Sequence, residues 1–126
     1  MTGERILVVE DNEMNMKLFR DVLIATGYRT LEATTGGEAI ELATDQRPDL
    51  VLMDIQLPDL DGVQALRKLR GDERTAAIPV LAVTAQAMRD DRARFLEAGF
   101  DDYLAKPVNL GELIGTVRRL CDERAR

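Results

Sequence analysis

Apolar residues fall in two alternating patterns along this chain. Short strand-like runs lie near 5–9, 29–33, 50–54, 80–84 and 102–105. Runs this short and this rich in branched side chains predict strands. Leu50-Val51-Leu52-Met53 and Val80-Leu81-Ala82-Val83 are apolar throughout, as expected of central strands covered on both faces.

Between the runs, apolar residues recur at helical spacing. Leu18, Phe19, Val22 and Leu23 mark a first helix that stops at Gly27. Thr35-Gly36-Gly37-Glu38 reads as a capping box, in which the threonine oxygen accepts an early helix N–H while the glutamate reaches back. Ala39, Ile40, Leu42 and Ala43 carry that second helix on until Pro48. Asp61-Gly62 opens a third helix bearing Val63, Leu66 and Leu69, and a fourth is expected over about 87–98, with Phe95 and Leu96 as its core pair and Gly99 as its stop. Asn109-Leu110-Gly111-Glu112 caps the last helix. Its Leu110, Leu113, Ile114, Val117, Leu120 and Cys121 form one apolar stripe. Arg118 and Arg119 are placed in its final turn, where positive charge complements the helix dipole.

Strand–helix alternation repeated five times predicts an α/β architecture, a (βα)5 doubly wound five-stranded parallel sheet with helices on both faces. The 126 residues read as a single domain, 1–126, with no linker, low-complexity tail or room for an output domain.

Composition narrows the function. A net charge of −6 argues against a nucleic-acid binder, which needs a basic footprint. The one cysteine, Cys121, can form no internal disulfide, which fits a reducing cytosol. No apolar stretch approaches the ~20 residues of a bilayer span, and the first strand begins too early to leave room for a signal peptide. The expectation is a cytoplasmic protein without membrane insertion. Histidine is absent. That removes the commonest general base, and any phosphohistidine must come from a partner.

Parallel strands bring their carboxyl ends to one edge, where open α/β sheets bind ligands. The first run ends on Glu10-Asp11, the third on Asp54, the fourth on Thr84 and the fifth on Lys106-Pro107. Three carboxylates, a hydroxyl and an ammonium would suit a divalent cation and a transferable phosphoryl group. Two readings of Glu10-Asp11 stand side by side: metal ligands, or a helix cap at Asp11 or Asn12 beside a solvated Glu10. Asp54 is harder to assign to structure alone, because an unpaired charge at the end of a buried strand is costly. Mg²⁺ held by carboxylates of Asp11 and Asp54, a backbone carbonyl and waters would meet its need. Asp54 then becomes a plausible nucleophile toward phosphorus. Lys106 and Thr84 would neutralise and hydrogen-bond the phosphoryl oxygens. Singly, Thr84 reads as a β-branched strand residue and Lys106 as a surface ion-pair partner; their joint placement favours the site. Asp49 and Asp101-Asp102 precede their strands and read as loop charges at the wrong edge. Asp59 and Asp61 are on the right side, Asp61 as a helix cap, and Asp90-Asp91 populate a solvated helix face.

Val-Val-Glu-Asp-Asn at 8–12, Leu-Met-Asp-Ile-Gln-Leu-Pro at 52–58, Asp-Gly at 61–62, Val-Thr-Ala at 83–85 and Lys-Pro at 106–107 together resemble the receiver domain of two-component response regulators. The resemblance spans essentially the entire chain. Residues 9–19 further resemble stand-alone cell-division regulators of that family. The resemblance implies a flavodoxin/CheY-like fold, with Asp54 as phosphoacceptor and Asp11, Asp54 and the Gln56 backbone carbonyl as Mg²⁺ ligands. Glu10 takes the first acidic position, often aspartate, where contact commonly runs through water. Thr84 and Tyr103 match the switch pair, Gln56 and Gln86 the positions associated with phosphoryl lifetime, and Lys106-Pro107 a peptide that is usually cis. The face of the fourth helix, fifth strand and fifth helix is the implied readout surface.

The resemblance also implies partners: a sensor histidine kinase, phosphatase or histidine phosphotransferase, with recruitment to the cell pole or membrane left to such a partner, and a monomer or a phosphorylation-dependent homodimer. The expected function is a Mg²⁺-dependent, phosphorylation-controlled binding module rather than an enzyme; a phosphate shuttle and a docking module that takes no phosphate are the alternatives. A haloacid-dehalogenase-type phosphatase is disfavoured because Gln56 stands where its second aspartate belongs. A flavodoxin-like electron carrier is disfavoured because Glu10-Asp11 would repel the cofactor phosphate.

Overall fold

The computed structural model describes residues 3–85 and 91–125. Five strands, β1 (Arg5–Val9), β2 (Arg29–Ala33), β3 (Leu50–Asp54), β4 (Val80–Thr84) and β5 (Asp102–Ala105), alternate with five helices, α1 (Glu13–Thr26), α2 (Gly36–Gln46), α3 (Gly62–Arg70), α4 (Asp91–Ala98) and α5 (Leu110–Ala125). All neighbouring strands pair parallel, in the order β2-β1-β3-β4-β5.

Alternate side chains of a strand point to opposite faces, and this parity divides the interior into two cores. Ile6, Val8, Leu50, Leu52, Leu81 and Val83 pack with Met16, Phe19 and Leu23 of α1 and Leu113, Val117 and Leu120 of α5. Leu7, Val9, Val51, Met53, Val80 and Ala82 pack with Ala39 and Ala43 of α2, Leu66 and Leu69 of α3, and Phe95 of α4. Every residue of β3 and β4 is buried, as the unbroken apolar runs predict.

The helix ends follow from side-chain chemistry. Asn12 caps α1 by accepting the Asn15 N–H at 3.0 Å, so the cap reading falls to Asn12 rather than Asp11. Gly27 ends the helix in the left-handed region, at φ 107°. Thr35 accepts the Glu38 N–H at 3.1 Å, while the Glu38 carboxylate reaches back past it to the Thr34 N–H at 2.8 Å. Asp61 and Gln64 form a full capping box on α3, and Asn109 accepts the Glu112 N–H of α5 at 3.0 Å.

Several helical faces differ from the sequence expectation. The buried stripe of α1 is Met16, Phe19 and Leu23, with Leu18 exposed. In α4 Phe95 is buried and Leu96 exposed, the two projecting about 100° apart on a helix that turns Phe95 to the core. Leu110 is exposed at the start of α5. Arg118 and Arg119 do not lie in the final turn, since α5 runs on to Ala125 and its last-turn cation is Arg124. Gln86 and Asp90 lie outside the described residues.

At the edge opposite the strands' carboxyl ends, Asp101 accepts the Val80 N–H at 2.7 Å and pairs with Arg70 at 2.9 Å. Arg70 also donates to the carbonyls of Ala76, Ile78 and Gly99, tying α3 to the entry of β4 and the exit of α4. Asp49 accepts the Arg5 N–H at 2.9 Å, and Asp102 opens β5 paired with Arg119. These acids serve structure, as their position implies.

Candidate metal and phosphoryl site

The sheet order makes β1 and β3 neighbours whose following helices, α1 and α3, lie on opposite faces. A crevice opens where connections diverge in this way. Glu10-Asp11 follow β1 there, and Asp54 ends β3. Carboxylate oxygens of Glu10, Asp11 and Asp54 all lie within 4.8 Å of one another. Glu10 is 1% exposed and Asp54 4%, while Asp11 is open to solvent.

Lys106 reaches this cluster from the end of β5. Its backbone N–H donates to the Thr84 carbonyl at 2.8 Å, the Lys106–Pro107 peptide is cis, and its Nζ stands 3.0 Å from Asp54 Oδ2 and 3.1 Å from Glu10 Oε1. Asp54 Oδ1 accepts the Gln56 N–H at 3.0 Å. Both oxygens of Asp54 are thus held by donors from different elements. Thr84, itself buried, lies one residue beyond Val83, the register partner of Asp54. Tyr103 is half-buried, its ring 5.6 Å from that of Phe95 on α4.

Three carboxylates against one ammonium leave a deficit of positive charge in a largely buried site. Glu10 registers it. Burial first, then a hydrogen bond shared with Asp54 and the Asp54 charge, raise its carboxyl from 4.5 to about 7. Burial pulls the Lys106 ammonium down, but its hydrogen bond to Asp54 and its ion-pair contact with Glu10 outweigh that and leave it above its ordinary value. Glu10 Oε2 accepts the Asn12 N–H at 3.2 Å, whereas Oε1 is buried and receives no hydrogen bond, the ammonium standing beside it off hydrogen-bonding geometry.

A divalent cation fits this donor set: hard carboxylate oxygens on three residues, one of them solvent-facing, with an unsatisfied buried oxygen beside them. Glu10, Asp11, Asp54 and Lys106 come together as the sequence expects, and Thr84 ends the strand beside Asp54. Glu10 is not the solvated charge of the alternative reading. Sequence reasoning missed that Lys106 already bridges Glu10 and Asp54, and that Asp59, given no role, bonds the start of α2 at Gly36 and Gly37. The one available signal for Asp59 was the Gly36-Gly37 pair, two helix-opening N–H groups with no side chain of their own to cap them.

A buried aspartate, two neighbouring carboxylates and a lysine gather at the switch point of a 2-1-3-4-5 sheet. A model of the response regulator receiver domain matches residues 6–118, and the chain belongs to that family of signalling proteins. It is 46% identical over 113 residues to the polar-differentiation response regulator DivK of Brucella anthropi, an alignment covering 90% of this chain and 92% of that protein. It also resembles the receiver domain of a sensor histidine kinase from Pseudomonas aeruginosa PAO1, solved with a magnesium ion coordinated in the active-site cleft (40% identity, TM-score 0.88, 96% of this chain and 99% of that one). A CheY-like receiver from Methanospirillum hungatei JF-1 superposes with a TM-score of 0.88 at 30% identity, covering 98% of each chain. No described helix is long and apolar enough to cross a membrane.

Proposed function

We propose that this chain is a phosphorylation switch in which Asp54 accepts a phosphoryl group from a phosphohistidine on a partner protein. The observation that carries this reading is the state of Asp54: a carboxylate 4% exposed, gripped by Lys106 and the Gln56 N–H, within 4.8 Å of two further carboxylates. The chain has no histidine, so the donor imidazole belongs to the partner, a sensor kinase or phosphotransferase.

In the transfer, an Asp54 oxygen forms a bond to phosphorus as the phosphorus–nitrogen bond of the donor breaks, and the electron pair of that bond leaves with the imidazole. Asp54 reacts as the carboxylate and needs no base, which suits a site without histidine. Asp11, Asp54 and the Gln56 carbonyl would hold Mg²⁺, with Glu10 beside it. The cation supplies charge neutralisation for the phosphoryl oxygens. Lys106 has three ammonium donors, and turning one from Glu10 or Asp54 to a phosphoryl oxygen shields the new charge. The Thr84 hydroxyl, at the end of the adjacent strand, is placed to donate to another. A phosphoryl group adds about −1.5 to −2 charge, so the active arrangement is the one that turns Lys106 and Thr84 toward it. Tyr103, packed on Phe95 of α4, is the group that would follow Thr84 inward and carry the change to the α4–β5–α5 face. Similarity to DivK supports a role in polar differentiation within the cell cycle, with partners that read this face.

The test is intact mass spectrometry after exposure to acetyl phosphate. The reading expects addition of one phosphoryl group that requires Mg²⁺ and disappears in Asp54→Asn. Binding of a sensor kinase by a protein that gains no mass would instead make it a docking module.

A further inference from the structure

Gln56, whose carbonyl is a ligand in the proposed metal site, lies in the 55–61 segment between β3 and α3, and this segment is fastened in two places. At its base, Gln56 and Asp61 pair as an antiparallel bridge and the Gly62 N–H donates to the Ile55 carbonyl at 2.7 Å. At its outer corner, Asp59 leans on the first turn of α2: Oδ1 accepts the Gly36 N–H at 2.7 Å and Oδ2 the Gly37 N–H at 3.0 Å. The approach is close enough that a Cβ on Gly36 would stand 3.0 Å from Leu60 Cβ and 3.3 Å from Asp59 Oδ1.

The opening N–H groups of α2 have no intrahelical partner. Thr35 and Glu38 serve the N–H groups of Glu38 and Thr34, which leaves those of Gly36 and Gly37 to a carboxylate from 22 and 23 residues away. Both bonds are charge-assisted and lie at the positive end of the helix dipole. The bonds at the base hold the two ends of the segment together, and the Asp59 clasp adds a hold on its outer corner against α2.

We propose that Asp59 is a positioning residue for metal binding: by clasping the first turn of α2 it fixes the 55–61 segment, and with it the Gln56 carbonyl. The inference rests on the proposed metal site and extends it to a residue that touches neither metal nor phosphoryl group. It also makes the start of α2 part of the apparatus that shapes the site, on the side away from α4, β5 and α5.

The experiment measures Mg²⁺ affinity by calorimetry for the unaltered protein, Asp59→Ala, Asp59→Asn and Gly36→Ala, together with urea midpoints and amide exchange at Gln56 in the metal-free state. Asp59→Ala should bind Mg²⁺ about tenfold more weakly, the usual size for losing a group that orients a ligand, and its Gln56 amide, bonded to Asp54, should exchange faster. Asp59→Asn keeps one acceptor oxygen and should recover to within about threefold. Gly36→Ala retains the carboxylate but pushes the corner outward, so it too should weaken binding. A mere helix cap predicts a lower urea midpoint with unchanged Mg²⁺ affinity and unchanged Gln56 exchange, and that result overturns the proposal. Failure of the unaltered protein to bind Mg²⁺ would overturn the metal site itself, a distinct outcome.

Discussion

Replacing Glu10 by glutamine should stabilise the metal-free protein, although it removes a group from the functional site. Glu10 is 1% exposed, and its carboxyl is raised from 4.5 to about 7 by burial and by Asp54. The folded state therefore holds the Glu10 proton more tightly than the unfolded state does. For a group with a raised folded value, the stabilising contribution is complete below 4.5 and is lost as pH climbs through about 7. The loss amounts to about 3 kcal/mol at pH 8 and less than about 1 kcal/mol at pH 5. Glutamine has the shape of the protonated acid and can donate to Asp54, so it should escape this penalty. Urea denaturation of both proteins in chelator should give a variant more stable by about 2–3 kcal/mol at pH 8, with the gap nearly closed at pH 5. Saturating Mg²⁺ should reverse the order at pH 8, because ligand bound to the native state stabilises in proportion to its affinity and the unaltered site binds more tightly. Equal stability at pH 8, or a gap of the same size at both pH values, would refute the reasoning.

Arg70 makes four contacts with donors split between the carbonyls of Ala76, Ile78 and Gly99 and the Asp101 carboxylate. Arg70→Ala should cost about 2–4 kcal/mol in urea denaturation, and Arg70→Lys should recover less than half, since an ammonium cannot reproduce the fork; a loss under about 1 kcal/mol would show the clamp to be incidental. Cys121 is buried, and burial pushes its thiol up to about 12. At pH 8 a thiol reagent should label it at least about a hundredfold more slowly than it labels the urea-unfolded chain, because reaction needs opening of α5 from the sheet; labelling at the unfolded rate would contradict the packing.

The central strands β1, β3 and β4 were legible because strands covered on both faces are apolar almost without interruption, and such runs have sharp ends. Helical faces were less so. A stripe such as Phe19 and Leu23 is visible in the sequence, but Leu18, Leu96 and Leu110 are equally apolar, and only the rotation of each helix against the sheet decides which of them is covered. The site was legible for a topological reason. In a parallel sheet the residue after each strand arrives at the same edge, so Glu10, Asp11, Asp54, Thr84 and Lys106 could be grouped from strand ends alone. Their pairings were not. Lys106 on both Glu10 and Asp54, Asp59 on α2 and Arg70 on Asp101 join residues 22 to 96 positions apart, and a charge in a sequence names no partner.

Under the proposed function, those pairings give the site a reason to switch. With Asp54 held by Lys106 and the Gln56 N–H, and Glu10 driven toward its neutral form, the metal-free site has lowered its own charge as far as its residues allow. A divalent cation removes the need for Glu10 to hold a proton. A phosphoryl group on Asp54 would then impose about two new negative charges, and the cation beside them is Lys106, already engaged with both carboxylates. Satisfying that group would draw Lys106 away from Glu10 and Asp54. Lys106 stands four residues before α5 and Thr84 ends β4 ahead of α4, so on the proposed function a rearrangement forced by charge at the edge of β3 would reach the two helices that flank β5.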